Sequence, residues 1–213
     1  MNSEAHSGLS DGQLIEELAS LGQKRRWRRG SILIQEGDMG DTLFIILSGR
    51  LRVYSSDPSG KEVTLGLYGE GEYVGEMSLD GGARAATVAT VETTECAVIS
   101  RDTLVSFISQ RPEFAMTLIT RLIRRARLAT ESARTMALLD VYGRLTRLLT
   151  QLAMPQADGT WLVAERMTHL ELSRHLACSR EMVSRLLKDL QHGGFISVQG
   201  HSLVLLKALP QRW

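Results

Sequence analysis

Apolar residues recur along this chain with two different periods, and the change of period divides it. In Asp11–Leu21, Leu14, Ile15 and Leu18 fall at helical spacing and predict a short amphipathic helix. From about Arg28 to Ser100 the apolar positions come instead in short runs, SILIQEG, TLFIILSG, LRVYSS, EVTLGLYG and TVATVETTECAVIS. Asp38-Met39-Gly40-Asp41, Ser48-Gly49 and Asp57-Pro58-Ser59-Gly60 punctuate them, and many short strands between such turns predict a β-sandwich, roll or barrel. After Pro112 the period lengthens. Ala115, Leu118, Leu122, Ala126, Ala129, Ala133 and Met136 recur at steps of three or four. This is the seam of a coiled coil, whose small alanines admit a second copy, or else a stripe that lies on the β segment. Arg121, Arg124, Arg125, Arg127 and Arg134 flank it.

The last third alternates again. A helix is predicted over Val141–Leu152, a loop at MPQADGT, and a second helix, HLELSRHLA, with Thr168 as its cap. The turn CSR leads into EMVSRLLKDLQH, which Gly193-Gly194 stops, and FISVQGHSLVLL reads as two strands around Gln199-Gly200-His201. Helix, tight turn, helix and β wing in that order make a winged helix-turn-helix. With Arg180 at zero on a helical wheel, Val183, Leu186, Leu187 and Leu190 lie between roughly 240° and 340°. Arg180, Glu181, Ser184, Arg185 and Lys188 fall on the opposite arc. Arginine bonds guanine O6 and N7 bidentately and glutamate accepts from cytosine N4, so this face is equipped to read G·C pairs in double-stranded DNA.

Composition narrows the partners. The 213 residues carry 25 Lys+Arg against 24 Asp+Glu, a net charge of +1, so any basic surface is local. From Asp140 onward there are nine Lys/Arg and six Asp/Glu, a net of +3, which implies few, specific phosphate contacts. The run Lys24 to Arg29 is read as the solvated lead-in to the first strand, with Trp27 turned inward. The amino-terminal segment lacks the apolar core of a signal peptide, and Leu43–Leu47 is far too short to span a bilayer, so a cytoplasmic protein is expected. Cys96 and Cys178 have no ligand spacing and are expected to be reduced structural thiols. Two cysteines are too few for an iron–sulfur cluster, and all five histidines lie outside the β segment, which disfavours a haem there; no metal is expected.

One stretch asks for a ligand. VGEMSLDGGARAATV, Val74–Val88, sets Glu76 and Arg84 on either side of the turn Asp80-Gly81-Gly82, inside apolar sequence. Both charges head for an interior, where they either form a plain ion pair or hold something charged. This stretch, the long helix, ALLDVYGRL and CSREMVSRLLKDL together resemble, in order and over nearly the whole chain, the cyclic-AMP receptor protein (CRP/FNR) family of transcription regulators.

The resemblance implies an α+β architecture: a β-roll effector domain over residues 1–111, a dimerisation helix over 112–139, and a winged helix-turn-helix over 140–213. It implies a homodimer without enzymatic activity that binds operator DNA and addresses RNA polymerase, away from membranes. Glu76 would accept from a ribose 2′-hydroxyl and Arg84 would pair with a cyclic phosphate, with Gly75, Met77 and Ala85 completing the cradle. Aligned on ALLDV, the family's adenine-contacting Thr-Ser pair falls on Ala129-Thr130, so one base-contacting hydroxyl is lost and one kept. Arg125 is the further residue able to reach base or phosphate. Cyclic AMP is the first candidate, with cyclic GMP and cyclic di-GMP as alternatives. Arg180, Glu181, Ser184 and Arg185 would read bases, while Ser179, Gln199, Gly200 and His201 would hold phosphates. A regulatory subunit that binds no DNA, and a cupin-like enzyme, are the rivals; the helix-turn-helix weighs against the first and the lack of a histidine cluster against the second.

Overall fold

A computed structural model describes residues 10–163, 167–199 and 202–210. The chain forms two compact units, one of residues up to 57 and 64–125, the other of residues 58–63 and 126 onward.

The first unit opens with α1, Asp11–Ser20, closed at its start by a reciprocal capping box between Ser10 and Gln13. Eight strands follow: β1 Gln23–Trp27, β2 Ile32–Ile34, β3 Leu43–Ser48, β4 Leu51–Ser56, β5 Glu62–Tyr68, β6 Tyr73–Val74, β7 Thr87–Thr90 and β8 Thr94–Ile99. They pair into two four-stranded sheets, ordered β1-β8-β3-β6 and β2-β7-β4-β5. β3 explains why both faces of the first sheet must be covered: Leu43, Phe44, Ile45 and Ile46 are all buried. Successive strand residues point to opposite faces. Phe44 and Ile46 enter the space between the sheets with Ile34, Leu51, Val74, Val88 and Cys96. Leu43 and Ile45 turn the other way, onto α1 and onto α2, Arg101–Gln110.

Three readings of the sequence are sharpened. The basic run from Lys24 is itself β1: Lys24, Arg25 and Arg26 are exposed, while Trp27 meets the Phe44 ring edge-on at 6.0 Å. The single run TVATVETTECAVIS is two strands, β7 and β8, broken at residues 91–93. Cys96 is fully buried, and burial pushes its thiol up to about 12, so it stays protonated and inert at neutral pH.

The long helix α3, Glu113–Leu138, begins in the first unit. Phe114 and Thr117 are buried and Leu118 is partly buried against the α1–α2 core. Of the expected seam, Leu122, Ala126, Ala129, Ala133 and Met136 are exposed, whereas Ala115 is half-buried and Leu118 packs inward; Met116, Ile119 and Ile123 are exposed beside that stripe.

From Ala126 the helix belongs to the second unit. There follow α4 Val141–Leu152, β9 Ala153–Pro155, β10 Trp161–Val163, α5 His169–Leu176, α6 Arg180–His192, β11 Ile196–Gln199 and β12 Ser202–Leu205. The predicted loop at MPQADGT thus begins as a strand, and the sheet runs β11-β12-β10-β9. Tyr142, Leu145, Leu149, Leu172, Leu176, Val183, Leu187 and Leu190 bury the apolar stripes of α4, α5 and α6 in one core.

Candidate ligand cradle and nucleic-acid interface

In the first unit the backbone places Arg84 before its side chain acts. Arg84 N–H donates to Asp38 O at 2.8 Å, and Arg84 O accepts from Gly37 N–H at 2.9 Å. The loop leading to it is shaped locally: Gly82 N–H donates to Asp80 Oδ1 at 2.9 Å, and Gly81 sits at φ 92°. Gly75 adopts φ 95°, and a Cβ there would stand 2.7 Å from Thr42 O and 2.9 Å from Arg84 Nη1. Only glycine permits this turn and this approach together.

The Arg84 side chain is 7% exposed. Its Nη1 donates to Thr42 O at 3.0 Å and to Gly75 O at 2.9 Å, and its Nη2 donates to Thr42 Oγ1 at 2.9 Å. All three acceptors are neutral. Among the described residues Arg84 makes no ion pair. Burial pulls its pKa down, and the charges of Asp41 and Glu76 offset that only in part.

Of the two alternatives left open for these charges, a plain Glu76–Arg84 ion pair is not what forms. Glu76 opens a single 3-10 turn, Glu76–Ser78, and its Oε1 pairs with Arg125 Nη1. The pair is largely shielded, with side-chain exposures of 20% for Arg125 and 10% for Glu76. Arg125 also donates through Nη2 to Tyr73 O, and its guanidinium lies over the Tyr68 and Tyr73 rings, 4.5 and 4.8 Å from their centroids. Burial works against the Arg125 charge, but Glu76 and the two tyrosines outweigh it, and the pKa is raised. The helix geometry explains this aim. Phe114, Leu118, Arg121 and Arg125 fall on one face at steps of four, three and four, so the arginines continue the inward stripe. Arg121 donates to Gly71 O at 3.0 Å.

Met77 and Ala85 are exposed on the same loop. Ala129 and Thr130 are exposed in the second unit, and Thr130 Oγ1 donates back to Ala126 O at 2.9 Å. Tyr68, Tyr73 and Thr42 are the site residues that sequence reasoning misses. Nothing in their spacing distinguishes them from ordinary strand positions.

In the second unit, α5 is capped by a reciprocal box between Thr168 and Glu171 and ends at Ala177, which takes the left-handed conformation at φ 49°. Ser179 then caps α6, its Oγ accepting from Met182 N–H at 3.2 Å, so this hydroxyl already has a structural task. Arg180, Glu181, Arg185 and Lys188 are exposed on α6, as the wheel predicts. Hydrogen bonds from its own backbone N–H and from Ser179, with the Arg180 charge, hold the Glu181 carboxyl below its usual range. Ser184 is half-buried and is hydrogen-bonded to His169 Nδ1 across the two helices at 2.8 Å. Arg144 locks the C-terminal end of α5 to the start of α4, donating to Leu176 O from Nε and Nη2 and to Leu139 O from Nη1. Of the wing residues, Gln199 pairs with Ser202 through the backbone. Gly200 and His201 lie outside the described residues.

Among the described residues no group of three or more His, Cys, Asp or Glu is placed to hold a metal, and no helix is long and apolar enough to cross a membrane. Residues 24–111 match the cyclic nucleotide-binding domain, and residues 143–210 match the Crp-like helix-turn-helix domain. The chain is 31% identical over 208 residues to the CRP-like cAMP-activated global transcriptional regulator of Mycobacterium tuberculosis H37Rv, covering 94% of this chain and 93% of that one. It is 33% identical over 182 residues to the cAMP-activated global transcriptional regulator CRP of Escherichia coli O157:H7, covering 82% and 85%. Among solved structures, the c-di-GMP responsive global regulator CLP of Xanthomonas campestris superposes with a TM-score of 0.81 at 29% identity, over 92% of this chain and 99% of that one.

Proposed function

This chain belongs to the CRP/FNR family of transcription regulators, with a cyclic nucleotide-binding domain and a DNA-binding helix-turn-helix, and we propose that it is a homodimer gated by a cyclic nucleotide. In this reading the ligand's cyclic phosphate pairs with Arg84 and its ribose engages Glu76. Two copies of α6 then meet a palindromic operator. The observation that carries it is the state of Arg84: a buried cation held only by neutral oxygens. A bidentate phosphate is the ligand that best compensates such a guanidinium, because its two parallel charge-assisted bonds replace the water that burial removed. Cyclic AMP is the first candidate, in keeping with the cAMP-activated relatives.

Calorimetric titration with cyclic AMP, cyclic GMP and cyclic di-GMP tests this. Cyclic AMP is expected to bind the wild type, with Arg84→Leu abolishing and Arg84→Lys weakening the signal. Binding of cyclic di-GMP alone would reassign the ligand, and binding of none would overturn the gated reading.

A further inference from the structure

His169 and Ser184 form a contact whose chemistry bears on how DNA is read. His169 is the first residue of α5 and is exposed, while Ser184 lies in the middle of the α6 face that carries Arg180 and Lys188 one turn to either side. Their side chains meet at 2.8 Å, Nδ1 to Oγ, across the two helices. A hydroxyl has one proton to give, so the state of the imidazole decides what Ser184 offers outward. When Nδ1 is bare, Ser184 spends its proton on His169 and presents only lone pairs. When the ring is imidazolium, His169 donates to Oγ and the Ser184 O–H is released. Phosphate oxygens only accept, as do guanine O6 and N7 and thymine O4, so the released hydroxyl is the form that suits them.

We propose that His169 is a positioning residue for DNA recognition that sets the donor or acceptor role of Ser184, so that proton uptake at His169 strengthens binding. The proposal rests on the reading of α6 as the DNA-contacting helix. Among the described residues of these two helices, the charged groups closest in helical position to the pair are Arg180, Glu181, Arg185 and Lys188 on α6 and Glu171 on α5. Glu171 is already engaged, accepting from Thr168 N–H at 2.6 Å, and its carboxylate is thereby committed to the helix cap. DNA adds negative charge beside the ring and so favours its protonated form; by linkage, affinity rises as pH falls.

The test uses a duplex selected from random-sequence DNA by the full-length protein with cyclic AMP at pH 7, and fluorescence anisotropy at pH 6 and pH 8. Wild type is expected to bind roughly three- to tenfold more tightly at pH 6, the worth of one net hydrogen bond. His169→Gln and Ser184→Ala should each flatten that ratio, and the double variant should flatten it no further. His6, His175, His192 and the wing residue His201 are present throughout, so their contribution is common to wild type and variants and cancels in the comparison. A wild-type pH ratio retained in either single variant overturns the proposal while leaving DNA binding by α6 intact. Failure to select any duplex, with Arg180→Ala indistinguishable from wild type on bulk DNA, overturns the reading of α6 itself.

Discussion

Arg84 and Arg125 show how differently two arginines of one unit can be employed. Arg84 is held in place by neutral oxygens and has no ion-pair partner among the described residues, whereas Arg125 is engaged by Glu76 and two tyrosine rings. The second arrangement predicts a stability effect. Arg125→Ala strands the shielded Glu76 carboxylate and should lower stability by about 2–3 kcal/mol, and Arg125→Leu combined with Glu76→Gln should recover most of that. Urea denaturation followed by circular dichroism measures both, and an Arg125→Ala variant as stable as wild type would show that the pair contributes nothing. The motif around Arg84 was legible from sequence because a glycine-bearing turn between two charges in apolar sequence is unusual. The partner of Glu76 was not, since the pairing depends on a helix residue 49 positions away.

At the scale of elements, α3 is read best by its two stripes. The inward one, Phe114, Leu118, Arg121 and Arg125, fixes the helix on the first unit, and the outward one leaves Met116, Ile119, Leu122 and Ile123 exposed. In the proposed homodimer, the outward stripe is the surface offered to the second copy. Ile119→Asp with Ile123→Asp should give a monomer in sedimentation, while Leu118→Ala should leave a dimer and lower stability by about 1–2 kcal/mol, less than a fully buried leucine because the site is only partly enclosed. A dimeric double-aspartate variant would place the interface elsewhere. The heptad reading found the helix, and from Leu122 onward its positions are exposed, but it set Leu118 on the same stripe, because spacing alone does not show that Leu118 packs inward beside Phe114, whose ring lies 5.2 Å from that of Phe107. α2 escaped notice for a related reason: RDTLVSFISQ is short and directly follows a strand run, so its period has little room to show. The wheel of α6 was legible for buried Val183, Leu187 and Leu190 and for exposed Arg180, Glu181, Arg185 and Lys188, but not for Ser184, which is half-buried against His169.

For the molecule as a whole, the two matched domains are joined by one continuous helix, α3, whose residues to Arg125 belong to the first unit and from Ala126 to the second. Arg125 ties that helix to Glu76, Arg147 pairs with Glu131 of the same helix, and Arg144 bonds Leu139 O just beyond it. A ligand that engages Glu76 therefore competes for, or reorganises, a contact of α3, and the proposed gate acts through that helix. Coupling of this kind is reciprocal: whatever factor ligand adds to DNA affinity, DNA must add to ligand affinity. The most direct measurement is calorimetric titration of the full-length protein with cyclic AMP in the absence and presence of a saturating duplex selected as above. Tighter cyclic AMP binding with the duplex present, by the same factor that cyclic AMP tightens duplex binding, is the predicted result. Equal cyclic AMP affinity under the two conditions would contradict it.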